Sequence, residues 1–238
     1  MGTPTRFTYG ISTVAKTKPL GDYPLPDPFH STSAASSAGV GVVQYSNDFD
    51  TLISTDYTVT GLSSTFALSN TVVGGAALLT PGAATTASSA YKNGQYIQFQ
   101  AGNKFWFLAR FQVSAVAAPT AYVGLQKGSA VTDGLWFAMA AGGVVSLVST
   151  VGSVATTLVA NVTTMTAATW ADLGLYYNGT DILVYVNDVV VARVSSPTIG
   201  ASGTTLTNAI LGPVFQITPT ATDTMLIDYV HASQEVTR

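Results

Sequence analysis

The sequence contains no cysteine and a single glutamate, Glu235, among its 238 residues. Without cysteine neither a disulfide nor a zinc–thiolate site can hold the fold, so stability must come from a buried core. Charged residues make up only 9% of the chain, whereas about 25% is usual for soluble domains. None lies between Asp56 and Lys92, or between Asp133 and Asp172. Ser, Thr, Asn and Gln must therefore cover the surface. A neutral surface of this kind suits a protein whose faces are partly covered by neighbouring molecules.

Long apolar runs are also absent. Ser, Thr, Gly or Asn interrupts every apolar stretch before the roughly 18 residues that a membrane helix needs, so we expect no membrane partner. The net charge of −3 and an isoelectric point near 5.1 provide no basic surface for a phosphate backbone, so we expect no nucleic-acid partner. No apolar segment follows Arg6 as in a secretion signal, which predicts synthesis in a cytoplasm.

Residues suited to acid, base or nucleophilic chemistry are few. Two histidines, His30 and His231, accompany the single glutamate, and no Gly-x-Ser-x-Gly elbow occurs. A glycosidase on a jelly roll needs two opposed carboxylates, and no predicted strand carries two. Asp223 and Asp228 are placed at a turn and at a sheet edge. We therefore predict that the chain is not an enzyme and needs no cofactor.

A local carboxylate cluster occurs at Asn47, Asp48, Phe49 and Asp50. Oxygen ligands of this kind suit calcium, which makes Asp48 and Asp50 weak candidates for a calcium site. The spacing lacks the loop pattern of a dedicated calcium cage, and Asx residues more often cap turns where a linker enters a domain. We therefore expect a turn here and predict no metal site.

The first 44 residues differ in composition from the rest. Five prolines lie between Pro4 and Pro28, and proline removes a ladder donor and favours extended neighbours. Residues 31–39 are small and of the flexible-linker type, so we predict an extended N-terminal arm and linker over residues 1–44. Apolar arm side chains predict docking on another molecule, with packing on its own domain as the alternative. These anchors are Phe7, Tyr9, Ile11, Leu20, Tyr23, Leu25 and Phe29.

From residue 45 onward the pattern is one of short strands and turns. Residues 104–113 alternate in a way that predicts a central strand. Residues 181–186 and 189–194 are joined by an Asn-Asp pair that tolerates positive φ, which predicts a tight hairpin. Short strands without a helical period or fixed repeat indicate one antiparallel jelly-roll sandwich over residues 45–238. Further strands are predicted at 95–100, 122–126, 135–140, 144–149, 156–160, 171–177, 209–217 and 225–231.

Aromatic residues support a second functional interpretation. Jelly rolls often bind carbohydrate through aromatic faces that stack on sugar rings, with a few polar groups fixing the orientation. We place the sugar site of this alternative at Trp170, Tyr177 and Asn178, whereas Trp106 and Trp136 are expected to be packed. The full set of platform candidates is Tyr91, Tyr96, Tyr122, Trp136, Trp170 and Tyr177.

Residues 170–179, followed by 183–188, resemble the strand–turn–strand of concanavalin A-like and laminin G-like jelly rolls. In those folds a Trp opens a strand, a short Asn-Gly turn follows, and the next strand ends in a tight Asn turn. The resemblance implies the fold, an antiparallel concanavalin A/laminin G-like jelly-roll β-sandwich. It implies little about function, because one fold hosts many functions.

Residues 6–14, 19–28, 47–50 and 104–111 are similar to segments of head-associated proteins of tailed, podovirus-like bacteriophages. That resemblance implies a capsid decoration or cement protein on the exterior of the virion, made in the host cytoplasm. Its partners would be the major capsid protein, bound through the arm, and further copies of itself, with a trimer as the expected oligomer. In this setting the alternative is a carbohydrate- or receptor-binding jelly roll of a phage fibre or spike.

Overall fold

The computed structural model describes residues 40–94, 97–129 and 131–237. These residues form β-strands and one 3-10 turn, Ser54–Asp56, with no α-helix among them. A helix long and apolar enough to cross a membrane is accordingly not found in this part of the chain. The seven apolar anchors predicted for the N-terminal arm lie outside the described residues, as does Tyr96.

The strands are short and follow one another closely along the chain. They are β1 (Val40–Asn47), β2 (Tyr57–Thr60), β3 (Thr65–Leu68), β4 (Ala77–Thr80), β5 (Ser88–Lys92), β6 (Ile97–Gln98), β7 (Phe105–Val113), β8 (Thr120–Gln126), β9 (Gly134–Met139), β10 (Val144–Val151), β11 (Val154–Thr164), β12 (Ala171–Tyr177), β13 (Asp181–Val186), β14 (Val189–Ser195), β15 (Ile199–Gly200), β16 (Leu206–Thr207), β17 (Ile210–Thr218) and β18 (Met225–Thr237).

Two 8-stranded antiparallel sheets form the sandwich. Sheet A has the order β14-β13-β12-β7-β18-β4-β3, with β1 also paired to β18. Sheet B has the order β11-β10-β9-β8-β17-β5-β2, with β6 also paired to β17. A small parallel pair, β15 and β16, completes the described strands. The predicted antiparallel jelly-roll sandwich is confirmed.

The core lies between the sheets because side chains alternate along each strand. On β7, Phe105, Phe107 and Phe111 are at most 1% exposed and belong to the core, as their spacing predicts. From sheet B, Phe137 on β9 and Phe215 on β17 fill the opposite side and are fully buried. With no disulfide available, this aromatic and aliphatic interior supplies the stability of the fold.

The β13–β14 hairpin forms as predicted. Asn187 and Asp188 both have positive φ, 47° and 66°, which is the conformation that a two-residue turn needs to match the twist of its strands. Asn187 also accepts a hydrogen bond from the Asp172 backbone N–H through Oδ1, at 3.1 Å. The turn is therefore fastened to the start of β12.

Two features of the sandwich differ from expectation. Strand β1 begins at Val40 and pairs with β18, so residues 40–44 belong to a strand rather than to the linker. Strands β2 to β5 were not predicted, because they are four or five residues long and rich in Ser, Thr and Ala. Their place in the sheets comes from pairing with distant strands, as in the pairing of β5 with β17.

Candidate functional site

The outer face of sheet B carries two stacked aromatic rings. Along β8 and β9, Val123 and Phe137 point into the core, so Tyr122 and Trp136 point outward. Their ring centroids are 5.5 Å apart with an interplanar angle of 24°. Trp136 is 4% exposed, whereas Tyr122 is half-buried. A ligand approaching this face therefore meets the part of Tyr122 that faces solvent, with the Trp136 ring stacked against it.

Polar groups form a row across this face. The row is built by strand register from residues of six strands, and every member except Ala138 offers a hydroxyl or an amide. The Thr60 and Ser89 hydroxyl oxygens are 2.6 Å apart, and Gln216 lies opposite Tyr122 in the register of β17 and β8. Burial raises the pKa of Tyr122 to about 12, so its hydroxyl stays protonated near neutral pH. The row consists of Thr60, Ser89, Gln216, Tyr122, Ala138 and Ser146.

A second row, directly beside the first, is mainly apolar. Its aromatic members are Tyr91 on β5 and Trp136 on β9, and Val214 and Gly124 lie between them. Tyr91 is half-buried, so part of its ring faces solvent. Thr58 and Val148 extend the row at its two ends. The face therefore pairs an apolar strip with a strip of hydroxyl and amide groups.

Glycines make room for the Trp136 ring. A Cβ atom on Gly134 would lie 2.0 Å from Trp136 Cζ3, which shows that the ring covers Gly134. A Cβ on Gly124 would lie 2.5 Å from Trp136 Cα and 2.3 Å from the Leu135 carbonyl oxygen. Any larger residue at either position would collide with Trp136 or with the neighbouring strand.

We expect Gly134→Ala to displace the Trp136 ring and to lower the free energy of unfolding by about 1–3 kcal/mol, the range for overpacked sites. Near-ultraviolet circular dichroism measures the ring, and urea denaturation measures the stability. Gly134→Ala combined with Trp136→Leu is the control. Because the double variant lacks the ring that collides with the new methyl group, its loss should be smaller than the sum of the two single losses. Strict additivity would contradict the collision.

Buried polar atoms border Trp136 on the same face. Gln126 and Thr150 flank Gly134 in the register, each 2% exposed. Gln126 Nε2 donates to the Gly128 carbonyl oxygen at 3.0 Å, whereas Gln126 Oε1 and Thr150 Oγ1 have no hydrogen-bond partner among the described residues. Buried acceptors and hydroxyls of this kind are normally paired. This end of the face therefore holds two buried polar atoms that lack a hydrogen-bond partner among the described residues.

The outer face of sheet A carries a different group of rings. Trp106 on β7 and Tyr176 on β12 stack with centroids 5.2 Å apart and an interplanar angle of 28°. Tyr185 on β13 packs with Trp106. We call Trp106, Tyr176 and Tyr185 the sheet A aromatic cluster. Trp106 and Trp136 are buried, as expected, but each lies on an outer face rather than in the central core.

Two carboxylates converge beside this cluster. Arg110 on β7 pairs with Asp172 on β12 at 3.7 Å and with Asp228 on β18 at 3.4 Å. Tyr229 donates its hydroxyl to Asp172 Oδ1 at 2.9 Å. Burial raises the pKa of Asp228; Arg110 opposes this shift, and the Asp172 and Asp48 carboxylates add to it. The carboxyl group of Asp228 therefore holds its proton to a higher pH than an ordinary aspartate.

The sequence-based placement of Asp228 at a sheet edge is wrong. β18 lies inside sheet A, with β7 on one side and β1 and β4 on the other. Asp228 sits where the β18–β7 register shifts, between Ile227 and Tyr229, and such a bulge re-aims a side chain. The sequence pattern shows only acids that share one strand, so it could not reveal that Asp228 and Asp172 approach Arg110 from two different strands.

The structure does not assemble the predicted sugar site at Trp170, Tyr177 and Asn178. Tyr177 is 3% exposed and points into the core, with its hydroxyl donating to the Gly179 carbonyl oxygen at 2.8 Å. Asn178 Oδ1 accepts the Thr180 and Asp181 backbone N–H groups, so this side chain holds a turn. Trp170 precedes the opposite end of β12, so its backbone lies roughly 23 Å from that of Tyr177. The Arg110 guanidinium lies over the Trp170 ring.

Asp48 and Asp50 are exposed in the turn after β1. Asn47 Oδ1 accepts the Phe49 backbone N–H at 2.9 Å, which is the Asx turn that the sequence predicts. Among the described residues no group of three or more His, Cys, Asp or Glu side chains is placed to hold a metal ion.

No protein-family model matches the chain, and no curated protein matches it. Solved structures do match. A protein of unknown function from Shewanella oneidensis MR-1 aligns with a TM-score of 0.59 at 12% identity, over 82% of this chain and 87% of that chain. An endo-1,3-β-glucanase from Streptomyces sioyaensis aligns at 0.57 and 13%, over 83% and 97%. A Bacillus licheniformis β-glucanase aligns at 0.57 and 8%, over 79% and 97%.

Identities this low show a shared fold alone. The prediction that the chain is not an enzyme is nevertheless wrong. Glucanases share the same sandwich over most of the length of this chain. The prediction rested on the lack of two acids on one strand, whereas Asp172 and Asp228 contact Arg110 from different strands. The chain therefore has the antiparallel jelly-roll β-sandwich that glucanases also adopt, with half-buried tyrosines on the outer face of sheet B and two aspartates that share Arg110 on sheet A.

Proposed function

We propose that the outer face of sheet B binds carbohydrate. The observation that carries this proposal is the half-buried Tyr122, which is stacked on Trp136 and lies opposite Gln216 within a row of mostly polar side chains. Sugars present apolar ring faces and a rim of hydroxyl groups, and aromatic faces beside convergent polar groups match both. The proposal corresponds to the alternative function drawn from the sequence, moved to a different face of the protein.

The dimensions of the face favour a chain of sugars rather than one ring. Tyr91 and Trp136 are separated by three strand spacings in sheet B, which is roughly 14 Å. Val214, which is 0% exposed, and Gly124 occupy the two register positions between these aromatic residues. Because neighbours in fold act on β-1,3- and mixed β-1,3-1,4-glucans, we infer a β-glucan as the ligand class to test first.

The decisive experiment compares two matched tyrosines. Tyr122 and Tyr176 are both half-buried, and each is stacked on a tryptophan, but they lie on opposite sheets. We expect Tyr122→Ala to weaken binding to soluble β-1,3-glucan by about tenfold or more, and Tyr176→Ala to leave it unchanged. Isothermal titration calorimetry and a glycan array measure the affinity and the selectivity.

The outcome also separates this function from its rivals. Equal losses in the two variants would point to a general effect on folding and would remove sheet B as the site. No selective hit on an array that reports millimolar binding would contradict carbohydrate binding altogether. Tyr91→Ala provides a second test on the same face, since the proposal requires both ends of the apolar row.

Hydrolysis is a second candidate, favoured by the Asp172 and Asp228 pair. Its test uses the same glucans and detects new reducing ends over time. If the pair hydrolyses glucan, Asp228→Asn should abolish product formation because the residue with the raised pKa would be the proton donor. Glucan binding without product formation assigns the chain a binding role on sheet B alone.

Capsid decoration stays a prediction. Its seven anchors in residues 1–44 lie outside the described residues, and the structural neighbours reported above include no virion protein. Co-sedimentation with assembled capsids tests this prediction. A fixed copy number per capsomer is the result expected if the chain attaches to the major capsid protein on the virion exterior and associates with further copies of itself.

A further inference from the structure

The sandwich ends, on one side, in two neighbouring edge strands. Strand β11 is the last strand of sheet B and β14 is the last strand of sheet A, and the two lie beside each other. β11 has 11 residues and β14 has 7, whereas β2 and β3, at the other end of each sheet order, have 4 each. Among the described strands, β11 pairs with β10 alone. Its outer side therefore presents main-chain groups with which another strand can pair.

The features that usually protect an edge strand are weak in β11. Natural edge strands are kept apart by short length, lysine, proline or bulges. β11 contains neither a charged residue nor a proline. Its register on β10 shifts twice, but residues 154–157 pair with residues 148–151 without a break. All four of these residues are exposed, and Val154 is 68% exposed. This stretch is the part of the edge that is open to pairing.

The distribution of charge favours a second copy of the chain at this edge. Two copies each carry a net charge of −3 and repel one another, but exposed charges act strongly only within about 10 Å at ordinary salt. No charged residue lies between Asp133 and Asp172, a stretch that includes all of β9, β10 and β11. On β13, β14 and their turn the charges are Asp181, Asp188 and Arg193, and the first and last of these form an ion pair. Two copies can therefore meet at this end of the sandwich with little repulsion between like charges.

We propose that β11 pairs antiparallel with β11 of a second copy, so that sheet B continues from one chain into the other. A twofold axis perpendicular to the sheet relates the two strands, and such an axis places one residue directly opposite its own copy. At the middle of residues 154–157 that residue is Ala155 or Thr156. Either choice brings only uncharged side chains together across the axis, and the β-branched valine and threonine side chains suit a strand pair. Because a twofold contact closes after two copies, the expected oligomer is a dimer rather than the trimer that the phage resemblance implies.

The geometry predicts a weak dimer. The unbroken stretch of β11 has only four residues. At the same end of the sandwich, β14 adds exposed apolar area through Val189 and Val191, which are 63% and 45% exposed. A contact of this length falls among the small interfaces of transient complexes. The inference does not depend on carbohydrate binding, and the dimer would place the outer faces of sheet B of two copies side by side.

Analytical ultracentrifugation of the full-length chain, between about 1 μM and about 1 mM protein, tests the proposal. We expect the mean mass to rise from that of one chain toward that of two. Ala155→Lys places like charges opposite or diagonal to each other across the axis, so this variant should stay at the mass of one chain. Ala67→Lys is the matched control, because Ala67 is an exposed alanine on the edge strand β3. It should leave the association unchanged.

A charge exchange identifies the two strands that face each other. Ala155→Glu alone should also stay at the mass of one chain, since its carboxylates repel across the axis as the lysines do. An equal mixture of Ala155→Lys and Ala155→Glu should associate again, because each lysine then meets a glutamate. This recovery should weaken as salt is added.

Each remaining outcome decides against the proposal. A single chain at every concentration would exclude self-pairing and would favour a strand of another protein as the occupant of this edge. Association that survives Ala155→Lys, or that Ala67→Lys weakens equally, would remove β11 as the contact. A mixture that stays at the mass of one chain would show that the two β11 strands do not face each other, and a mass of three chains would exclude the twofold axis. Circular dichroism shows whether each variant is folded, and Thr157→Lys with Thr157→Glu replaces the pair at Ala155 if either member unfolds.

Discussion

Replacing Phe49 with alanine should lower the free energy of unfolding by about 3–5 kcal/mol, the usual cost of deleting a fully buried phenylalanine. Phe49 is 0% exposed. Its ring centroid lies 5.9 Å from that of Phe66, 6.1 Å from that of Phe215 and 6.2 Å from that of Tyr57. The side chain thus joins the turn after β1 to strands β2, β3 and β17, and alanine would leave a cavity among these rings.

Urea denaturation followed by circular dichroism measures this effect through the midpoint and the m-value. Ile53→Ala is the control, because Ile53 lies four residues further along the chain and is 63% exposed. Surface changes of that type usually stay within about 0.5 kcal/mol. A loss for Phe49→Ala no larger than the loss for Ile53→Ala would show that the aromatic group does not hold the two sheets together.

The second large effect is a loss of stability in mild acid that depends on His231. Burial lowers the pKa of His231 from 6.5 to about 4, and Nε2 lies 3.2 Å from the Ser233 hydroxyl oxygen. Between pH 6.5 and pH 4 the unfolded chain binds a proton on this histidine and the folded chain does not, so stability falls as the pH falls. This loss of stability is therefore absent above pH 6.5 and increases as the pH falls toward 4.

The size of the effect follows from the shift, at about 1.4 kcal/mol per pKa unit, and amounts to about 3 kcal/mol. Unfolding free energies measured at pH 7 and pH 4.5 should therefore diverge less in His231→Gln than in the unmodified protein. Asp133, Asp181 and Asp223 have lowered pKa values and add their own acid sensitivity. The difference between the two proteins isolates the histidine, and an identical pH dependence would show that His231 is protonated in the folded state.

Local alternation in the sequence was sufficient to predict much of sheet A. The aromatic spacing in residues 104–113 determined which side chains of β7 face the core, and the Asn-Asp pair determined the β13–β14 turn. Both features depend on backbone geometry within a few residues, which a single sequence displays directly. The short strands β2 to β5 have no such signal, since Ser and Thr on them are compatible with loops as well as strands.

The candidate site was only partly visible in the sequence. Tyr91, Tyr122 and Trp136 were among the aromatic candidates, but nothing connected them to one another or to Gln216. The preferred trio of Trp170, Tyr177 and Asn178 combined residues that are neighbours in sequence. Tyr177 then proved to face the core, and the two ends of β12 hold the other two residues apart.

By itself, the sequence determined that this protein is a cysteine-free, sparsely charged β-sandwich, because composition and period-two alternation constrain each strand independently of its neighbours. Only the tertiary structure decided that β5, β17, β8 and β9 lie side by side, bringing Tyr91, Val214, Gly124 and Trp136 into one row, and that β12, β7 and β18 bring Asp172 and Asp228 to Arg110. The physical reason is that strand order arises from hydrogen bonding and core packing between segments far apart in the chain. A local pattern shows which face a side chain occupies, but it does not show which strand lies beside it.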